Sequence, residues 1–267
     1  MLVHILGPLR AEVDGVPVPL GGRRTQTILA LLALEENRVV PTDRLVDAVW
    51  GAAPPASART QIRICVSAIR RAVAEAATTG PGGAGAPGPG GAGAPAEDPI
   101  ETHTLGYRLR LPPGGLDSAL FDARVGRARR LAREGRRAEA VLELRGALAL
   151  WNGPALAGLT SPALEPAVRR LEEERVRATE ERLRLELELG RHEDVIGELI
   201  ALTAEHPFRE RLHGQLMLAL QRSCRTAEAL AAYRRIRLTL VEELGIEPGP
   251  ELSGLEQAIL TGERLSA

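Results

Sequence analysis

The chain of 267 residues is poor in the side chains that carry covalent or metal chemistry. It has two cysteines, Cys65 and Cys224, and five histidines, none of which pairs with Cys or an acid at metal-ligand spacing. No Gly-x-Ser-x-Gly elbow is present, and glycines 80–93 lack the Gly-Lys-Ser/Thr ending of a phosphate loop. We therefore expect no catalytic residue, no metal and no cofactor, and the sequence does not favour an enzyme.

Long apolar runs are also missing. No run of 18 apolar residues occurs, and the N-terminus lacks a basic region followed by an apolar signal core. Two thiols far apart in the sequence suit a reducing compartment. These features predict a soluble, cytoplasmic protein with no membrane partner.

Lysine is absent, so all 34 basic residues are arginine, against 35 acidic residues and a net charge of −1. Since Ala, Gly and Pro are also abundant, GC-rich coding explains this better than selection for phosphate contacts. Residues 1–110 hold 11 Arg and 10 acidic residues, net +1, and residues 111–267 hold 23 Arg and 25 acidic residues, net −2. A nucleic-acid site must therefore be a local face.

The most informative segment of the sequence comprises residues 59–71. Ile62, Val66, Ile69 and Val73 recur at helical spacing, and no Asp or Glu occurs between residues 47 and 75. The opposite arc of this helix carries hydroxyl and guanidinium groups: Arg59, Thr60, Arg63, Ser67, Arg70 and Arg71. Such a face suits polyanionic nucleic acid, and the alternative is an ordinary solvated helix.

The flanking segments give this helix a context. Short strands are predicted at 3–6, 10–13 and 16–20 with a hairpin turn at Asp14-Gly15, then a helix over 24–36 and a second from an N-cap at Thr42 to Gly51. Ser57 is the predicted N-cap of the third helix, and strands at 100–104 and 107–111 flank Leu105-Gly106. Strands, three helices and a hairpin are the order of a winged helix-turn-helix, whose third helix enters the major groove.

A segment of 17 residues, 80–96, consists only of Gly, Pro and Ala, which predicts a disordered loop or linker. From Leu116 onward the pattern is helical and repeats. Gly135–Val141, Gly190–Ile196 and Cys224–Leu230 align column by column, the last two 34 residues apart, as in tetratricopeptide helix pairs. The wider first gap predicts an extra segment around Trp151-Asn-Gly-Pro.

We therefore predict a mainly α protein with two domains. Residues 1–112 form an α+β winged helix-turn-helix that contains the insert at 80–96. Residues 113–267 form an all-α, tetratricopeptide-like helical-repeat domain.

The chain resembles the Streptomyces antibiotic regulatory protein family, whose members join an OmpR-like winged helix to a bacterial transcriptional activation domain. The resemblance is carried by short segments in a specific order over most of the length. In the first half these are Leu6-Gly-Pro-Leu, Leu20-Gly-Gly-Arg-Arg, Leu29-Ala-Leu-Leu, Asn37-Arg-Val-Val, Arg44-Leu-Val-Asp-Ala-Val-Trp-Gly, Val66-Ser-Ala-Ile-Arg-Arg-Ala and Gly106-Tyr-Arg-Leu. In the second half they are Leu148-Ala-Leu-Trp-Asn-Gly-Pro-Ala-Leu, Leu189-Gly-Arg-His, His206-Pro-Phe-Arg-Glu-Arg-Leu and Glu242-Glu-Leu-Gly-Ile-Glu-Pro-Gly-Pro-Glu-Leu.

The resemblance implies a transcriptional activator of antibiotic or other secondary-metabolite genes in an actinomycete. Members bind direct repeats in double-stranded DNA near promoters, as side-by-side dimers, and recruit RNA polymerase including its sigma factor. This chain departs from the pattern in two places. The insert at 80–96 is longer than the family's loop, and Gln26 stands where a phosphate-facing Arg is expected.

Base contacts are predicted for Thr60, Arg63 and Ser67, since Arg can reach two acceptors on one guanine. Phosphate contacts are predicted for Arg24, Thr25, Arg44, Arg59, Arg70, Arg71, Tyr107 and Arg108. Three alternatives stay open: Arg59 pairs with an acid of a neighbouring helix, Tyr107 pins the wing to the core, and Arg24 with Thr25 merely caps a helix. Two other functions also remain, a helical-repeat adaptor and a ligand-sensing regulator, neither of which reads an operator.

Overall fold

The computed structural model describes residues 1–79 and 98–262, so the insert at 80–96 lies outside the described residues. The strands are β1 (Leu2–His4), β2 (Arg10–Val13), β3 (Val16–Pro17), β4 (Val39–Pro41), β5 (Ile100–Thr102) and β6 (Gly106–Leu109). The helices are α1 (Arg23–Leu34), α2 (Thr42–Trp50), α3 (Ala58–Thr79), α4 (Asp117–Arg133), α5 (Arg137–Leu148), α6 (Glu165–Glu188), α7 (His192–Glu205), α8 (Glu210–Arg222), α9 (Thr226–Leu244) and α10 (Pro250–Thr261). The protein is thus mainly helical, as predicted. None of the described helices combines the length and the apolar character that a membrane span needs.

Contacts between residues divide the chain into two compact units. The first unit comprises residues 1–124 and 146–175, and the second comprises 125–145 and the chain from 176 onward. The predicted domain boundary between residues 112 and 113 stays a prediction.

An antiparallel sheet of order β1-β2-β3 opens the first unit. Asp14 and Gly15 both have positive φ angles, 50° and 79°, which is the type I′ geometry that matches the twist of a hairpin. The predicted β2 and its turn are confirmed. The first strand begins one residue earlier than predicted, and β3 pairs only at Val16 and Pro17.

A second antiparallel sheet has the order β4-β6-β5 and contains the predicted wing hairpin. Its first strand, β4, was not predicted. Pro41 of β4 lies opposite Gly106 of β6, and a Cβ added to Gly106 would stand 1.9 Å from the Val40 carbonyl oxygen. Only glycine fits this register, so Gly106 fixes how the wing joins the helices.

The three helices between the sheets bury the apolar residues that the sequence pattern predicts. Residues 27–33 of α1 are all buried, and the α3 stripe of Ile62, Val66, Ile69 and Val73 is buried against the same core. The predicted end of α2 at Gly51 is confirmed. Thr42 as N-cap is wrong, because β4 runs directly into α2 and Pro41 takes the cap position. The Thr42 N–H instead donates to the Leu105 carbonyl at 2.9 Å.

Hydrogen bonds to the backbone of Ile5 and Leu6, which follow β1, tie this segment to two later segments of the first unit. The Asp117 carboxylate accepts the Ile5 N–H at 2.9 Å and the Leu6 N–H at 3.1 Å. The Asn152 and Leu156 N–H groups donate to the carbonyls of Leu6 and Ile5 at 2.8 and 3.0 Å. Burial is the chief cause that raises the pKa of Asp117 above its usual value, against the lowering effect of these N–H donors.

The segment around Trp151 is the extra one that the repeat spacing predicts. Trp151 is buried and packs edge-on against Phe121 with ring centroids 5.8 Å apart. Ser161 donates to the Ala48 carbonyl at 2.7 Å. This segment therefore packs on the winged helix within the first unit instead of forming another helical repeat.

In the second unit the three aligned repeats are helix-turn-helix corners. Gly135, Gly190 and Cys224 open the turns, all in the left-handed region, with φ of 79°, 82° and 60°. At each turn the next N–H reaches back to the preceding helix: Arg136 to Leu131, Arg191 to Glu186 and Arg225 to Leu220, at 2.9 to 3.0 Å. This common hydrogen bond at each turn explains why the three segments align in sequence, and the predicted repeat is confirmed.

A buried carboxylate joins these repeats. The Glu186 side chain is 1% exposed, and it pairs with Arg145 and Arg191 at 2.7 Å each and with Arg182 at 3.9 Å. A buried charge is tolerated only when paired, so these guanidiniums hold α5, α6 and the start of α7 together.

Candidate nucleic-acid interface

The exposed face of α3 presents the predicted base-reading residues side by side. Thr60, Arg63, Ser67 and Arg71 are all exposed, and their helical positions fall within an arc of about 80°. Across residues 1–79 and 98–262, the Arg63 guanidinium has no acidic partner. An unpaired, exposed guanidinium between two hydroxyl groups can donate to groups that lie outside the protein.

Arg71 lies at one end of this face. It pairs with Glu75 at 3.8 Å, and the side chain is 77% exposed. A pair so exposed contributes about 0–1 kcal/mol, so a phosphate can displace the carboxylate at little cost.

Two predicted phosphate ligands are paired with acids of neighbouring elements. Arg59 donates to Asp43 of α2 at 2.7 Å, which is the alternative that the sequence leaves open. Arg44 pairs with Glu35, which follows α1, at 2.8 Å. Both arginines are solvent-exposed, and each guanidinium uses one of its nitrogens in the ion pair, at Nη2.

Arg70 points away from the rest of the arc and into the wing. Its guanidinium donates to the Ile100 carbonyl, through Nε at 3.2 Å and also through Nη2, and to Thr102 Oγ1 at 2.9 Å. It also pairs with Asp98 at 2.5 Å. The Arg70 side chain thus joins α3 to β5, which follows the insert in the sequence.

The wing residues form their own polar cluster. Tyr107 is 7% exposed, which agrees with the alternative that it pins the wing to the core. Arg108, Arg110 and His103 all reach the Glu101 carboxylate. Hydrogen bonding from Arg108 is the chief cause that holds the pKa of Glu101 below its usual value, so Arg108 faces an ionised partner.

The N-terminus of α1 places Arg24 beside α2 and α3. Arg24 Nη1 donates to Gln61 Oε1 at 2.8 Å, and its guanidinium lies 5.4 Å from the Trp50 ring centroid. Thr25 is half-buried. Gln26 donates to the Gly21 carbonyl at 2.9 Å, so it closes the turn before α1 where the family pattern has a phosphate-facing Arg.

Sequence reasoning missed two exposed residues. Arg23, the first residue of α1, is exposed and has no acidic partner in the described part of the chain. Its signal was the pair Arg23-Arg24 at a helix N-terminus, where free N–H groups favour anions. Ile64, in the second turn of α3, is 63% exposed.

The described residues contain no group of three or more His, Cys, Asp or Glu side chains placed to hold a metal ion. The exposed face of α3 offers hydroxyl and guanidinium groups, which donate hydrogen bonds, and the guanidinium groups carry positive charge. Helices α1 to α3 and the wing belong to one compact unit.

Comparison with known proteins identifies this architecture. Residues 17–80 match the family described as "Transcriptional regulatory protein, C terminal", and residues 116–260 match "Bacterial transcriptional activator domain". The regulatory protein DnrI of Streptomyces peucetius is 38% identical over 264 residues, which cover 98% of this chain and 93% of the relative. The chain belongs to the Streptomyces antibiotic regulatory protein family of transcriptional activators.

Other members of this kind are longer. The regulatory protein AfsR of Streptomyces griseus is 37% identical over 97% of this chain, which spans 24% of AfsR. The solved structure of Mycobacterium tuberculosis EmbR in complex with a low-affinity phosphopeptide matches with a TM-score of 0.89 and 36% identity, over 99% of this chain and 66% of EmbR. The predicted fold, a winged helix-turn-helix followed by a helical-repeat domain, is confirmed.

Proposed function

We propose that this activator binds double-stranded DNA in a sequence-specific manner by placing α3 in the major groove. One observation carries the proposal: Thr60, Arg63 and Ser67 form an exposed face on the third helix of a winged helix-turn-helix, and Arg63 has no acidic partner among the described residues. Each bidentate contact of Arg with guanine contributes about 1–3 kcal/mol of discrimination against the wrong base.

Flanking contacts to phosphate hold α3 in register. Arg23 and Arg24 with Thr25 at the start of α1, and Arg71 on α3, are the groups best placed for this role. Arg44, Arg59 and Arg108 join them by exchanging a carboxylate for a phosphate. For Arg70 and Tyr107 we propose that support of the wing outweighs direct phosphate contact, because their side chains are already engaged or buried there.

We further propose that protomers bind direct repeats side by side as a dimer on DNA and recruit RNA polymerase, including its sigma factor, to biosynthetic genes for antibiotics or other secondary metabolites. The family supports this role. In this scheme residues 1–112 bind DNA in the cytoplasm and residues 113–267 form the activation domain. The near-neutral charge of residues 1–110 restricts DNA contact to the local face described above.

Selection from a randomised duplex library tests the proposal. The full chain is immobilised, bound DNA is amplified over several rounds, and the enriched duplex is placed upstream of a promoter for transcription with RNA polymerase. Enrichment of a motif present twice in the same orientation, and a higher transcript yield with the protein, are the expected results. Absence of enrichment at low salt would overturn operator binding and favour the helical-repeat adaptor or the ligand-sensing regulator.

A further inference from the structure

Ile64 is an apolar side chain at the edge of a polar face. At helical spacing it lies about 20° beyond Arg71 around the axis, and it is 63% exposed. The core stripe of α3 is complete without it, since Ile62 and Ile69 are 0% and 1% exposed. Ile64 therefore does not contribute to the packing that holds the first unit together.

The partner of such a side chain must offer an apolar group at the site that α3 faces. In the major groove the base edges present hydrogen-bond donors and acceptors, and the apolar group among them is the C5 methyl of thymine. A branched aliphatic side chain satisfies no donor or acceptor, but it gains free energy by covering a methyl group.

We propose that Ile64 is a specificity-determining residue that contacts the 5-methyl group of a thymine close to the base pair that Arg63 reads. This inference rests on the proposed function. The contact of Ile64 would specify a base of the operator that the polar residues of α3 do not read. At that position the protein would prefer thymine to cytosine and to uracil, which both lack the methyl group.

The position of Ile64 favours DNA over a protein partner. Thr60 and Ser67 lie one turn before and after it on the same side of α3, and Arg63 precedes it in the sequence, about 100° away around the axis. A partner protein that covered Ile64 would also cover these hydroxyl groups and this guanidinium. An apolar residue isolated among polar ones suits a groove that carries isolated methyl groups.

Substitution of single thymines by deoxyuridine in the selected duplex tests the proposal, because deoxyuridine lacks the methyl group and keeps the same hydrogen-bonding edge. We expect one thymine in each repeat at which the change weakens binding of the wild-type chain about fourfold, as loss of one buried methyl predicts. The Ile64→Ser variant should bind the thymine and deoxyuridine duplexes equally.

Leu142→Ser is the matched control, since Leu142 is 65% exposed and lies on α5. This variant should keep the full preference for thymine. Wild-type protein that is insensitive to deoxyuridine at every position, or an Ile64→Ser variant that keeps the preference, would overturn the inference while specific binding itself stands. Lost activation by Ile64→Ser with unchanged DNA affinity would also overturn it, in favour of a protein contact. If no duplex is selected at all, the proposed function and this inference both fail.

Discussion

Arg70 and Asp98 form an ion pair at 2.5 Å that bridges the middle of α3 and the residues just before β5 of the wing. In the sequence these two residues are separated by the segment 80–96 of Gly, Pro and Ala. Arg70 also donates to the carbonyl of Ile100, a residue that is fully buried. Side-chain contacts thus join the wing directly to α3.

Replacement of Arg70 by methionine should destabilise the first unit. The change keeps an apolar stem but leaves the buried Ile100 carbonyl without this donor, which costs about 1–3 kcal/mol of the free energy of unfolding. Both tryptophans, Trp50 and Trp151, lie in the first unit, so urea unfolding followed by tryptophan fluorescence measures the loss. Arg71→Met is the control and should change the free energy by less than about 0.5 kcal/mol, because Arg71 is exposed. Equal effects of the two substitutions would contradict the assigned role of Arg70.

Cys224→Gly should stabilise the second unit. Cys224 has a φ of 60°, and the two corresponding turns carry Gly135 and Gly190. Relief of this left-handed strain should exceed the entropy that glycine adds to the unfolded chain, for a net gain of about 0.5–1 kcal/mol. Thermal unfolding followed by circular dichroism provides the measurement.

Gly190→Ala is the reciprocal control for Cys224→Gly. A Cβ at Gly190 meets nothing within 4 Å, so the substitution adds backbone strain without a steric clash. It should lower the free energy of unfolding by about 1 kcal/mol. A stabilising Gly190→Ala together with a destabilising Cys224→Gly would show that left-handed strain does not govern these turns.

The stability of the second unit should depend on pH through His213. Burial lowers the pKa of His213 to about 4, below its usual 6.5. Between these values the unfolded chain binds a proton that the folded chain does not, so stability falls as pH decreases from 6.5 toward 4. The slope from this group is at most about 1.4 kcal/mol per pH unit.

His213→Leu removes this titration and leaves the other ionisable groups in place. Urea unfolding of wild type and variant by circular dichroism at pH 7, 6 and 5 should show the wild type losing more stability than the variant as pH falls. Parallel losses in the two proteins would contradict a neutral, buried His213.

Local patterns predicted the elements that local residues determine. The α3 stripe and the Asp14-Gly15 turn follow from residues close together in the chain, and both are confirmed. Strand β4 was missed because it has three residues and is formed by pairing with β6, more than 60 residues later. The cap at Thr42 was wrong for the same reason, since that pairing carries Pro41 into the cap position.

In the candidate site too, local sequence patterns predicted positions within one helix but not contacts between elements. Helical spacing predicted which arginines of α3 share a face, and Arg63 does lie exposed there. It left open that Arg59 pairs with an acid of a neighbouring helix but could not identify Asp43, and it could not predict that Arg70 meets Asp98, because those acids come from other elements. Exposure of an apolar residue such as Ile64 likewise depends on how α1 and α2 pack on α3.

Binding of Arg63→Ala to the selected duplex tests the central claim most directly. Equilibrium affinities are measured for wild type and variant on the duplex and on versions with each base pair replaced in turn. We expect the variant to lose about 1–3 kcal/mol on the selected duplex and to become indifferent to one base pair. Arg23→Ala, the control, should weaken binding to all duplexes alike and reduce the salt dependence by about one phosphate contact. If Arg63→Ala binds every duplex as the wild type does, α3 does not read DNA through this face and the account is contradicted.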